Sequence, residues 1–170
     1  DVDVLFEGRL EDRNSDFTDN PSDPKNGMTR ASSAGSDVSA GVVFQWDRSD
    51  RLYAWTLIEN QRDMTRYGSL SLRMAQVTRD ALTTASMDPL SFSIEIVDGL
   101  ERSSMLATAA YGVLVRDPYQ RTGFGSGAGW QNEFETIRVP NKGFARDGRE
   151  IDMADIRTVR LRFGPSYGSS

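Results

Sequence analysis

"SFSIEIV", residues 91–97, alternates Phe92, Ile94 and Ile96 with Ser93 and Glu95. Successive side chains of a β-strand point to opposite faces, so this period of two predicts a half-buried strand. The device recurs along the chain. "VVFQW" (42–46) sets Val42, Phe44 and Trp46 on one side, and "LYAWTLI" (52–58) sets Tyr53, Trp55 and Leu57 together. "SLSLRMAQV" (69–77) alternates Leu70, Leu72 and Met74 with Ser71, Arg73 and Ala75. "ETIRVP" (135–140) and "TVRLRF" (158–163) repeat the pattern, with Val159, Leu161 and Phe163 inward and Arg160 and Arg162 outward. Val42, Phe44, Leu70, Leu72, Phe92, Ile94, Ile137, Val159 and Leu161 are the expected core.

Turn-formers separate these segments: "DRSD" (47–50), Asp98 with Gly99, and "RDG" (146–148). Short turns favour antiparallel pairing over a parallel sheet with crossover helices. Only "RDALTTASM" (79–87) and "DMADIR" (152–157) suit short helical turns. The expectation is an all-β, two-layer antiparallel β-sandwich of about eight strands.

The 170 residues, 38% of them hydrophobic, suit one domain with one core. Twenty-five acidic against 20 basic residues give a net charge of −5, which argues against a polyanionic nucleic acid as partner. No apolar run approaches the roughly 20 residues that span a bilayer, and the first residues resemble neither a signal peptide nor an initiator sequence. A soluble domain excised from a longer multidomain protein is expected. Without cysteine there is no disulfide framework and no thiolate zinc site. Without histidine, the usual general base of Ser and Cys hydrolases and the commonest transition-metal ligand are absent.

Residues 11–41 and the glycine-rich run 112–129 break the strand rhythm, and long loops of compact domains are usually functional or mobile. "TRASSAGS" (29–36) and "GFGSGAG" (123–129) are small-residue stretches that suggest flexibility. Sugars pack C–H faces on flat rings and offer hydroxyls to amides, carboxylates and Arg. The second loop and its flank supply that mixture, and Tyr111, Tyr119, Arg121, Trp130 and Asn132 form the candidate carbohydrate-binding set. Equally, one or two of these rings would serve to plug the end of the fold. Trp46, Tyr53 and Trp55 follow strand alternation and belong to the core.

Arg73, Glu95, Arg138, Arg160 and Arg162 form an outward row. A solvated charge ladder is the default for such a row. A polar sheet face of this kind also suits glycans, and Arg favours acidic sugars. Two carboxylates suffice for glycoside hydrolysis; Glu133 and Glu135, two apart and able to share a strand face, are one candidate pair, and Glu95 with Asp98 another. Nothing sets them apart from surface acids, and no independent catalysis is expected.

"DMTRYGSLSLRMAQ" (63–76), "LSFSIEIVDG" (90–99), "FETIRVPNKGF" (134–144) and "IDMADIRTVRLRF" (151–163) occur in that order. Together they resemble the galactose-binding-like β-sandwiches, the jelly-roll group that includes many carbohydrate-binding modules and accessory domains of secreted polysaccharide-active enzymes. The resemblance implies a secreted, extracellular or cell-surface, non-catalytic module that targets a polysaccharide, acidic on the argument above, for a linked catalytic domain. The alternative is a structural or protein-interaction sandwich domain of a secreted multidomain hydrolase that binds no sugar. Such sandwiches close with a strand carrying an acidic pair soon after the position of Phe163, whereas this chain reads "GPSYGSS" (164–170).

The resemblance also implies a structural calcium near the first strand, the one cofactor in view, with Glu7 as the candidate carboxylate. Asp12, Asn14 and Asp16 match the D-x-[DN]-x-[DN] start of a calcium loop. Phe17 stands where an EF-hand needs glycine, and Asp23 where it needs a bidentate Glu, so that specific reading fails. A solvated Asp/Asn-rich connection is the commoner outcome of such composition.

Overall fold

A computed structural model describes residues 28–32, 40–44, 49–76, 89–116, 119–120, 130–131, 134–145 and 150–168. In chain order its strands are β1 (Met28–Ser32), β2 (Ala40–Phe44), β3 (Arg51–Thr56), β4 (Ser69–Met74), β5 (Ser93–Asp98), β6 (Ser103–Ala107), β7 (Tyr119–Gln120), β8 (Trp130–Gln131), β9 (Glu135–Pro140) and β10 (Ile156–Phe163). Every pairing among them is antiparallel. Helix among the described residues is confined to single turns at Glu59–Gln61, Thr108–Tyr111, Asn141–Phe144 and Pro165–Tyr167. The all-β expectation holds at that level.

The longest strand, β10, carries the alternation Val159, Leu161, Phe163 and lies inside a four-stranded sheet ordered β3-β10-β5-β6. Register sets Leu161 between Tyr53 and Ile94, and Val159 between Trp55 and Ile96. These side chains therefore share one face. A register shift between Ile156 and Thr158 leaves Arg157 as the extra residue of a bulge, exposed, while Ile156 on one side and Val159 on the other stay buried.

β4 pairs with β9, setting Leu70 opposite Val139 and Leu72 opposite Ile137. Leu70, Ile137 and Val139 join Tyr53, Phe92, Ile94, Ile96, Val159, Leu161 and Phe163 in one buried cluster, with Phe144 of the turn after β9. The Phe92 and Phe163 rings meet at 5.6 Å. Leu72 is only half-buried, packed against the edge of the cluster and not inside it as the alternation predicts.

Three other sequence readings change. The segment β5 is buried throughout, not on one face only. Its polar side is covered because Ser91 and Ser93 donate their hydroxyls to the carbonyls of Gly168 and Tyr167 in the folded-back C-terminal turn, while two arginines close over Glu95. "DMADIR" forms a turn at Met153 and Ala154 and then enters β10 at Ile156, because β-ladder partners on both sides outbid a helical turn. Residues 28–32 and 119–120, assigned to irregular loops, are strands paired with β2 and β8; backbone pairing decides there, not apolar alternation. The segment 79–87 and Trp46 lie outside the described residues.

Candidate functional site

The outward row of charges is divided between two sheets. On the four-stranded sheet, Arg160 faces Glu95 across the β10/β5 ladder. Arg162 Nε donates to Glu95 Oε2 at 2.7 Å, and Arg160 Nη1 reaches the same oxygen at 3.4 Å. The Glu95 side chain is only 9% exposed. Burial works against its charge, but the hydrogen bond from Arg162 and the charges of Arg162 and Arg160 hold its pKa below the ordinary value. Arg162 loses hydration to burial, yet the Glu95 contact raises its pKa. Its guanidinium also lies over the Tyr167 ring at 5.3 Å. This group is internally satisfied, and its chemistry is structural.

The other sheet differs. On β4 and β9 the polar set comprises Ser71, Arg73, Thr136 and Arg138, all exposed, with Ser71 opposite Arg138 and Arg73 opposite Thr136. Arg73 and Arg138 are thus diagonal neighbours, roughly 7–8 Å apart at the backbone. Neither has a carboxylate partner among the described residues. Phe134, one alternation step before Thr136, is 56% exposed, and the Arg73 guanidinium lies over its ring at 5.4 Å. Two guanidiniums with no carboxylate partner among the described residues, and an exposed aromatic ring with Arg73 over one of its faces, therefore occupy one sheet face in a chain of net charge −5. Such a face can take a carboxylate or sulfate on its forks and an apolar sugar face on its ring. Sequence reading found both arginines but missed Phe134. The signal was present: an aromatic in the polar phase of the "FETIRVP" alternation has no core to enter.

Of the sequence-derived carbohydrate set, Tyr111 closes the turn Thr108–Tyr111 and is 39% exposed, its hydroxyl against the backbone of Gly143. Tyr119 lies opposite Gln131, and Gln120 opposite Trp130, so the two aromatics are not cross-strand partners. Arg121 and Asn132 lie outside the described residues, as do Glu7, Asp12, Asn14 and Asp16 of the calcium set. Among the described residues no cluster of three or more Asp or Glu could hold a metal ion. No described helix is long and apolar enough to cross a membrane.

Of the two carboxylate pairs, Glu95 and Asp98 are not poised together. Glu95 and Asp98 are three residues apart on β5, hence on opposite faces, and each is engaged by arginine. Glu135 pairs with Arg116 at 2.9 Å, and Glu133 lies outside the described residues. No family model matches the chain, and neither a curated protein nor a solved structure matches it.

Proposed function

We propose that the chain is a non-catalytic carbohydrate-binding module of the galactose-binding-like, jelly-roll type, acting outside the cell. It holds an acidic polysaccharide on the outer face of β4 and β9 and so keeps a linked enzyme near its substrate, raising the local concentration. The observation that carries this reading is the grouping of Arg73 and Arg138, which have no carboxylate partner among the described residues, with the exposed Phe134 ring. What supports it is that residues of the four-stranded sheet and of β4–β9 contribute to one buried cluster, while Ser71, Arg73, Thr136 and Arg138 of β4 and β9 stay exposed. Any calcium held by Glu7, Asp12, Asn14 and Asp16 would be structural in this scheme and would take no part in sugar binding.

Titration calorimetry against a uronate polymer, a sulfated polymer and a neutral glucan tests the proposal. The acidic polymers should bind and the neutral one should not. Arg73→Ala and Arg138→Ala should each weaken binding by about 1.5–3 kcal/mol, the worth of a hydrogen bond to a charged group. Melting temperatures should stay near wild type, since exposed substitutions of this kind shift stability by about 0.5 kcal/mol or less. Loss of binding in Tyr119→Ala or Trp130→Ala, with both arginine variants unaffected, would move the site to the 112–129 loop. Absence of binding to every polymer would favour the alternative of a structural or protein-interaction domain.

A further inference from the structure

The four-stranded sheet has two edge strands, β3 and, at the other side, β6. The inference concerns β6. Asp98 N donates to Arg102 O and Thr108 N to Phe92 O, each at 2.9 Å, and between them Ser104 pairs with Ile96 and Leu106 with Ile94. Hydrogen-bonded and non-hydrogen-bonded pairs alternate along an antiparallel ladder. Met105 and Ala107 therefore turn their N–H and C=O away from β5. Both residues are exposed, and among the described residues no strand pairs with this edge.

Sheet edges are usually blunted by lysine, proline, a bulge or a covering segment. The sequence of β6 is Ser-Ser-Met-Leu-Ala, with no charge and no proline, and its register to β5 is unbroken. Exposed apolar side chains lie along the same edge and at both of its ends: Leu100 (74% exposed) before the strand, Met105 (42%) within it and Tyr111 (39%) after it.

We infer that β6 is a self-association edge, pairing antiparallel with β6 of a second copy across a twofold axis and joining two four-stranded sheets into one of eight strands. A second copy fits for three reasons. An uncharged strand laid antiparallel on itself brings no like charges face to face. A twofold contact must be self-complementary, and Met105 opposite Ala107 of the other copy satisfies the outward N–H and C=O groups of both. The same axis carries Leu100 of one copy toward the Thr108–Tyr111 turn of the other, so the exposed apolar groups at the two ends cover each other. The pairing leaves the outer face of β4 and β9 open on each copy and does not depend on what that face binds.

Sedimentation velocity on the full chain, from about 1 μM to about 1 mM as suits a small interface, tests the inference. The mass should rise from 18.9 kDa toward twice that value with concentration. Ala107→Pro removes only an outward-facing N–H, a place where an edge strand tolerates proline, and Met105→Lys places a charge at the centre of the contact. Both variants should remain monomeric throughout, with wild-type circular dichroism. If Ala107→Pro alone loses its fold, Met105→Lys decides. A wild type monomeric at 1 mM, or a folded Met105→Lys that dimerises as wild type does, would overturn the inference; the former would also turn attention to an extended peptide of another protein as the occupant of this edge.

Discussion

Asp98 shows how one side chain can tie three segments together. It ends β5 with no solvent exposure. Its carboxylate accepts from the backbone N–H groups of Leu100, Arg102 and Asp152, and from the Arg102 guanidinium at 2.6 and 2.7 Å. Hence it closes the β5–β6 hairpin and anchors the segment that leads into β10. At the neighbouring Gly99 a Cβ would strike the end of the Asp155 side chain, so a larger residue there would have to push that carboxylate aside. Burial opposes the charge on Asp98, but the Asp152, Arg102 and Leu100 hydrogen bonds outweigh it and hold the pKa at about 2 against an ordinary 3.8. A depressed carboxylate contributes stability that is fully present above its unfolded pKa and is lost as pH falls toward the native value. Unfolding free energy from urea melts should therefore drop by about 2 kcal/mol between roughly pH 5 and pH 2 on account of this group. Asp98→Asn should cost about as much at pH 7 and flatten that part of the profile. An unchanged acid limb in the variant would show that other carboxylates carry the transition.

At the scale of elements, the informative strand is β5, where sequence and structure part. Alternation located β4, β5, β9 and β10 and the inward phase of each, because one buried face imposes a period of two on the residues themselves. It did not show that β5 lies beside β10. That neighbour relation joins residues 65 apart, Glu95 and Arg160, and it turns an outward carboxylate into a nearly buried one. The same blindness merged five charges into one row, although Arg73 and Arg138 lie on a different sheet from Arg160 and Arg162. The candidate site was thus legible as a list of arginines but not as a face, since only strand order decides which arginine has an acid within reach. Glu95→Ala tests the distinction. Removing one partner of a fully buried ion pair costs about 3–5 kcal/mol, and the partial exposure of Arg160 and Arg162 should reduce that to about 2–3 kcal/mol in denaturant unfolding. Binding to an acidic polymer should persist in the folded variant. A variant as stable as wild type would mean that the two arginines find water or other partners at no cost.

For the molecule as a whole, the charge balance sets how the cationic face behaves. A chain with net charge −5 repels a polyanion at distances where its charges act together. Attraction arises only close in, where Arg73 and Arg138 present two positive charges with no carboxylate partner among the described residues. Added salt screens both effects, over about 10 Å at 0.1 M. The long-range repulsion weakens first, while the contact term falls with the number of cations engaged. Two contacts on a polymer as densely charged as DNA would lose about tenfold in affinity between about 50 and about 200 mM salt, and a more sparsely charged polysaccharide should lose less. Affinity for a uronate polymer measured across that range should therefore decline gently, by no more than about tenfold. In the double variant Arg73→Ala, Arg138→Ala, whatever binding is left should be flat or should rise with salt, because only the repulsion remains to be screened. A much steeper decline in the wild type would demand more cations than this face holds and would place the contact surface elsewhere on the molecule.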